Sequence, residues 1–203
     1  MDSTVTARRE RRDAAANRER IIQAARKLFA SQGVEQTTMN EIAQAAHVGV
    51  GTLYRRFAHK GEICIALLQD DFAHFMAEVE RHYAQHLDDP LGHLEYMVDA
   101  LLKLVVQHTP LLSVIQEASS GERRPELFSM PHYVRMHDHI STTLQQAHQL
   151  GHIIEIETPF VTDALLHIIA PPLVQHAYQG HQLTHERIMN TIRQLFIEGL
   201  RRR

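Results

Sequence analysis

Histidine is the first chemically conspicuous residue in this chain: there are 16, and 14 of them follow residue 61. His132, His137 and His139 lie within eight residues, and His148 and His152 stand four apart. Neutral imidazoles at such spacings can share a divalent ion such as zinc or nickel. No dense carboxylate set joins them, only Asp138 and Glu155, so scattered surface histidines are the plainer reading and no metal ligand is assigned. Hydrolytic and phosphate chemistry lack their usual residues. There is no HExxH, no GxSxG and no phosphate loop, and His185-Glu186 lacks the second histidine. Gly49-Val50-Gly51 resembles the start of a nucleotide loop, but the third glycine and the preceding strand are missing. The one cysteine, Cys64, excludes a disulfide framework and agrees with a reducing compartment. It sits at an apolar helix start, which favours burial over redox sensing. No catalytic residue and no cofactor is expected.

Arginine carries a second signal. The net charge of −3 conceals an uneven split. Residues 1–61 hold 11 Lys+Arg against 6 Asp+Glu, a net of +5, and residues 62–203 hold 10 against 18, a net of −8. A basic first third on an acidic remainder suggests that one end meets a polyanion. The first residues are polar and basic with no apolar stretch, and the unbroken apolar runs fall far short of the roughly 20 residues that span a bilayer. The expectation is a cytoplasmic protein with no membrane partner.

The elements that must position these residues read as helices throughout. Residues 1–16, with Arg8, Arg9, Arg11 and Arg12 and no apolar stripe, read as a flexible basic arm. Ile21, Ile22, Ala25, Leu28 and Phe29 then mark one face of a helix that Gly33 closes. Thr38-Met39-Asn40-Glu41 is a capping box opening a short second helix, with Ile42, Ala43 and Ala46 inward. A third runs through Thr52, Leu53, Tyr54 and Arg56 to Phe57. The pattern then predicts helices over about 62–86, 91–107, 111–118, 133–150, 159–178 (interrupted at Pro171-Pro172) and 184–200. Residues 119–131 read as a connection, and Ile153 to Ile156 as the one candidate strand. The fold class is all-α, with about nine helices.

Two short helices joined by a tight turn and braced by a preceding helix form a helix-turn-helix. Here the residues say more than the pattern. Thr37 to Val48, TTMNEIAQAAHV, followed by Gly51 to Lys60, GTLYRRFAHK, closely resembles the TetR family of transcriptional regulators. Ala24 to Phe29 and Gly33 match the same family's first helix. The resemblance covers roughly residues 18–68; beyond them it rests on length and helical content.

That resemblance implies a DNA-binding head over residues 17–61, its motif at about 38–57, and a ligand-binding and dimerisation domain over 62–203. It implies phosphate contacts from Thr52, Tyr54 and Lys60, with Thr38 capping a helix whose amides can face a phosphate. Base reading falls to Val50, Gly51, Arg55 and Arg56. Three positions depart from the family: His47 stands where glycine is usual, Gly49 where Ser or Thr caps the recognition helix, and Val50 where a polar side chain is frequent. Val50 can touch a thymine methyl but cannot hydrogen-bond, so the operator sequence is not legible.

The resemblance further implies a homodimer through the last two helices, with Phe160, Ala164, Leu165 and Ile168 on one stripe and Ile188, Ile192, Leu195 and Phe196 on the other. It implies an inducer pocket among the middle helices. The apolar candidates are Phe72, Phe75, Met76, Met97, Leu101, Leu104, Met136, Ile140 and Leu144, with His108, Tyr133 and His137 as polar contacts. The partners expected are therefore double-stranded operator DNA, a small-molecule inducer and a second copy of the chain. Two other classes stay open at this point. One is a metal- or redox-sensing regulator on the same scaffold; the other is an all-α enzyme whose head resembles the family misleadingly.

Overall fold

The structure, a computed structural model, describes residues 3–118 and 131–202, with side chains from Arg12 onward apart from Gln116. Most of the expected 119–131 connection, and the arm side chains before Arg12, lie outside the described residues. Among the described residues there are nine α-helices: α1 (Ser3–Gln32), α2 (Met39–Ala45), α3 (Val50–Arg56), α4 (Lys60–Gln85), α5 (Pro90–Ala118), α6 (Pro131–Gln149), α7 (Thr158–Ile168), α8 (Pro171–Gln175) and α9 (His185–Phe196). A π-helical turn spans His176–Gly180 and a 3₁₀ turn Glu198–Leu200. The expected strand near Ile153 is reduced to one antiparallel bridge with Arg201.

The chain forms two compact units. The first comprises residues up to Gln69 together with α5 from Pro110 onward. Its core joins Ile21, Ile22 and Ala25 of α1 to Ile42, Ala43, Ala46, Leu53, Phe57, Ile63 and Leu67. A second cluster sets Val34 and Cys64 against Val114 of α5. The head is thus larger than its expected boundary at residue 61. Only the end of α5 supplies Leu111, Val114 and Ile115 to it, a long-range addition that local periodicity does not encode.

Two expected breaks are absent. Residues 3–16 continue α1 as helix rather than forming an irregular arm; alanine and arginine favour helix by intrinsic propensity, without an apolar stripe. Pro110 lies inside α5 instead of ending its helix. A proline there leaves the carbonyl four residues back, that of Val106, without its usual donor. The Thr109 hydroxyl reaches the Val105 carbonyl at 2.9 Å and the Val106 carbonyl at 3.2 Å, which offsets the loss.

The second unit takes α4 from Asp70, α5 to Thr109, and α6 to α9. Its buried residues include Met76, Val79, Leu94, Met97, Leu102, Ile140, Leu144 and Ile169. The expected 159–178 helix is divided into α7, α8 and the π turn, and α9 stops at Phe196. Pro90 to Ile115 is long and apolar enough by length and composition to cross a membrane, a feature that a search for unbroken apolar runs does not register. Its charged residues are paired with others of the same unit. Glu95 accepts from Arg193 Nε at 2.7 Å, and Asp99 meets His185 Nε2 at 2.7 Å and Lys103 Nζ at 2.6 Å.

Candidate nucleic-acid interface

The first unit builds its surface from three local devices. Thr38 and Glu41 form the expected capping box: Thr38 Oγ1 accepts from Glu41 N at 3.2 Å, and Glu41 Oε2 accepts from Thr38 N at 2.7 Å. These bonds hold the Glu41 carboxyl below its ordinary pKa. At the other end of α2, His47 N–H donates to Gln44 O and Val48 N–H to Ala43 O, at 3.1 and 3.0 Å. That is a Schellman motif, and its left-handed residue is His47, φ +52. The same arrangement ends α6, where Gly151 takes φ +74. The third device is the start of α3, where Gly49 offers no side-chain cap.

These devices present α3 with Leu53 buried and the rest of one face outward. Val50 is 45% and Tyr54 49% exposed; Gly51, Arg55 and Arg56 are also exposed, and Thr52 is half-buried. Arg55 Nη2 donates to Thr52 Oγ1 at 3.2 Å, which leaves the threonine proton free for an outside acceptor. A Cβ added at Gly51 would meet nothing within 4 Å, so packing does not require glycine there. Between α1 and α3 lies an open cleft of about 590 Å³, lined by Asp13, Ala14, Asn17, Thr52, Arg55 and Arg56. Six of the eight expected contact residues stand on α3, and Thr38 is exposed at the start of α2.

Lys60 is the correction. Its ammonium donates to the carbonyls of Val34, Glu35 and Thr37 at 2.7, 2.9 and 3.0 Å. An ammonium has three protons, and all three are taken. Lys60 staples the start of α4 to the loop after α1, where the sequence reading expected a phosphate contact. The carbonyls of that loop, left without helical donors, are the physical reason.

In the second unit, Phe75, Met76, Met97, Leu101, Tyr133, Ile140 and Leu144 are buried, and Phe72, Leu104, His108, Met136 and His137 partly so. The buried members belong to the core, and the cleft at Pro172, Gln175, His176, Gln179 and Gly180 is lined by none of the twelve. Tyr133 Oη donates to Asp163 Oδ1 at 2.7 Å, and burial with that carboxylate raises the phenol pKa. His137 Nε2 lies 3.6 Å from the same oxygen. His108 Nε2 is buried without a hydrogen-bond partner, 3.4 Å from the Asp71 carboxylate but poorly aligned with it. Of the expected dimer residues, Phe160 and Leu195 are 75% and 62% exposed, whereas Leu165 and Ile192 are buried within the unit and belong to its core. Ala164, Ile168, Ile188 and Phe196 are half-buried.

The histidines that stand close in sequence have other neighbours in the structure. His132 meets Phe72 edge-on, His137 turns to Asp163, and His139 joins His93. His152 lies beyond the turn at Gly151, off the helical face that holds His148. No group of three or more His, Cys, Asp or Glu among the described residues could hold a metal ion. The cluster that sequence reasoning missed is His82, His86 and His93, whose signals were the four-residue spacing of His82 and His86 at the end of α4 and a histidine inside the apolar stripe of α5.

Residues 21–67 match the family model described as bacterial regulatory proteins, tetR family. Over that stretch, the helix-turn-helix head, the chain is of TetR type. It is 28% identical over 195 residues to an HTH-type transcriptional regulator of Staphylococcus aureus strain MRSA252, covering 95% of this chain and 98% of the relative. Its fold is that of Thermus thermophilus FadR, a TetR-family repressor solved with lauroyl-CoA: TM-score 0.70, 24% identity, 92% of this chain and 96% of that one. A TetR-family regulator of Pectobacterium atrosepticum gives TM-score 0.71 at 16% identity, covering 95% of this chain and 98% of that one. With a TetR-type head and relatives that are transcriptional regulators, the chain is a DNA-binding transcriptional regulator, and its all-α architecture is that of these solved structures.

Proposed function

We propose that the chain is a homodimeric repressor that leaves its operator when a small molecule binds the second unit. The observation that carries the DNA part is the outward face of α3. Thr52 and Tyr54 put hydroxyls toward a phosphate, and Val50, Gly51, Arg55 and Arg56 face the base edges. Phosphate bonds position without reading sequence, whereas an arginine paired with guanine discriminates by about 1–3 kcal/mol. A homodimer is required because one seven-residue recognition helix reads too few base pairs. The exposed Phe160 on α7 and Leu195 on α9 support the expected interface.

The inducer reading rests on likeness. The related fold of Thermus thermophilus FadR holds lauroyl-CoA. In this chain, Phe72, Phe75 and Met76 lie on α4, the helix that also begins with Lys60 in the DNA-binding unit. A ligand packed against them shifts DNA affinity only through its different affinity for the two states, and DNA opposes it by the same factor. The redox alternative finds no support in Cys64, which is fully buried with its thiol pushed up to about 12. A DNA-binding regulator acts where the chromosome is, and this reading carries the expectation of a cytoplasmic protein.

Selection of bound duplexes from a random pool tests the reading. The expected product is a two-fold-related pair of half-sites about 34–36 Å apart, centre to centre, or a multiple of that spacing. Recovery of a single unrepeated half-site, or of no sequence at all, would count against it.

A further inference from the structure

Three histidines in the second unit form a continuous row. His82 Nδ1 of α4 lies 2.9 Å from His93 Nδ1 of α5, and His93 Nε2 lies 2.8 Å from His139 Nε2 of α6. His93 is fully buried and both of its ring nitrogens are engaged. The flanks are aromatic: His82 is stacked between His86, at 4.0 Å, and Tyr96, at 3.9 Å between centroids. Tyr83 packs against His93 and His139 and donates to Gln146. His86 Nδ1 donates to the His82 carbonyl at 2.8 Å, which fixes its tautomer. Stacked rings direct their lone pairs in parallel planes, so His82 and His86 do not converge on an ion.

Proton counting gives the row its chemistry. A neutral imidazole has one N–H and one lone pair. Neutral His93 therefore donates to one neighbour and accepts from the other, and the row is satisfied in either direction. One added proton, on His93, still satisfies both links but places an unpaired cation in the interior. A second, on His82 or His139, sets N–H against N–H across a bond of under 3 Å and must break it. The charged groups around the row do not cancel this. Glu80 on α4 favours protonation of His139 and Arg135 on α6 opposes it, the two being paired with each other at 2.7 Å. Asp89, in the α4–α5 turn, favours a charge on His82 and His86 disfavours it.

We propose that the His82–His93–His139 row is a proton-operated latch of the ligand-binding unit, holding α4, α5 and α6 together when neutral and released by acid. Burial lowers the affinity of all three rings for a proton, that of His93 to a pKa of about 4. The unfolded chain then binds more protons than the folded one between the ordinary histidine pKa and that value. Stability contributed by the row is complete above about pH 6.5 and is lost progressively as pH falls toward 4.

The test measures unfolding of the full-length protein between pH 7.5 and 4.5 beside His93→Gln, whose amide can still donate once and accept once. The expected result is that His93→Gln takes up about one proton fewer on unfolding near pH 5. Nitrogen chemical shifts of the folded wild-type protein provide a second readout that needs no variant: His93 remains neutral at pH 5. Parallel pH profiles for the two proteins, or a His93 ring that titrates near its ordinary value, would overturn the proposal.

Discussion

His47 and Gly51 show how a single side chain separates what the fold needs from what the DNA needs. His47 holds a left-handed conformation that Gly151 adopts in the same motif without a Cβ. Replacing His47 by glycine removes a steric cost of about 1 kcal/mol, so His47→Gly is expected to raise the melting temperature of the regulator by a few degrees. An unchanged or lower melting point would mean that the imidazole has a stabilising contact of its own. Gly51 is the opposite case. The position is open and helical, so Gly51→Ala is expected to stabilise the helix by about 0.5–1 kcal/mol. The added methyl stands on the face of α3 proposed to meet DNA, and affinity is expected to fall several-fold in a gel-shift titration although the protein is more stable.

At the scale of elements, the staple from α4 to the loop after α1 replaces the phosphate contact expected of Lys60. Hydrogen bonds from a charged donor contribute about 1.5–3 kcal/mol each when isolated, and they are not additive. Lys60→Met is expected to cost about 2–3 kcal/mol of stability in a urea melt. The slope of log affinity against log salt is expected to stay unchanged, because no phosphate contact is lost. A loss of one unit of slope with no loss of stability would restore the phosphate role. Local signals made much of this head legible: the Thr38–Glu41 box, Gly33 and the α2–α3 spacing are each written within a few residues. Lys60 was not legible, since its acceptors lie 23 to 26 residues away in a loop. Continuity of α5 through Pro110 was hidden for a related reason, because the residue that repairs the helix is an unremarkable threonine. The α1 extension was missed because propensity, not an apolar stripe, forms it.

For the whole molecule, the proposed dimer rests on the exposed apolar residues of α7 and α9. Phe160 and Leu195 are among the most exposed large apolar side chains described, and neither is needed for the core of its own unit. Phe160→Glu with Leu195→Glu is expected to yield a folded monomer in analytical ultracentrifugation, with operator affinity reduced at least tenfold. Retention of the dimer would move the interface elsewhere. The stripes on these helices were readable as apolar, but which members face outward was not. Leu165 and Ile192 carry the same residue types at the same period and are buried. The inducer region was readable only as core, because a closed apolar cluster and a ligand site share one composition.

Whether the outward face of α3 binds the operator is decided by one titration. Fluorescence anisotropy with a selected operator duplex, repeated over a range of salt, is measured for the wild type and for Arg55→Ala with Arg56→Ala. The account predicts affinity falling linearly with salt on logarithmic axes for the wild type. It predicts a loss of at least about tenfold, or 1.4 kcal/mol, for the variant, together with a weakened preference over a scrambled duplex. A variant with wild-type affinity, wild-type salt slope and undiminished preference would contradict it.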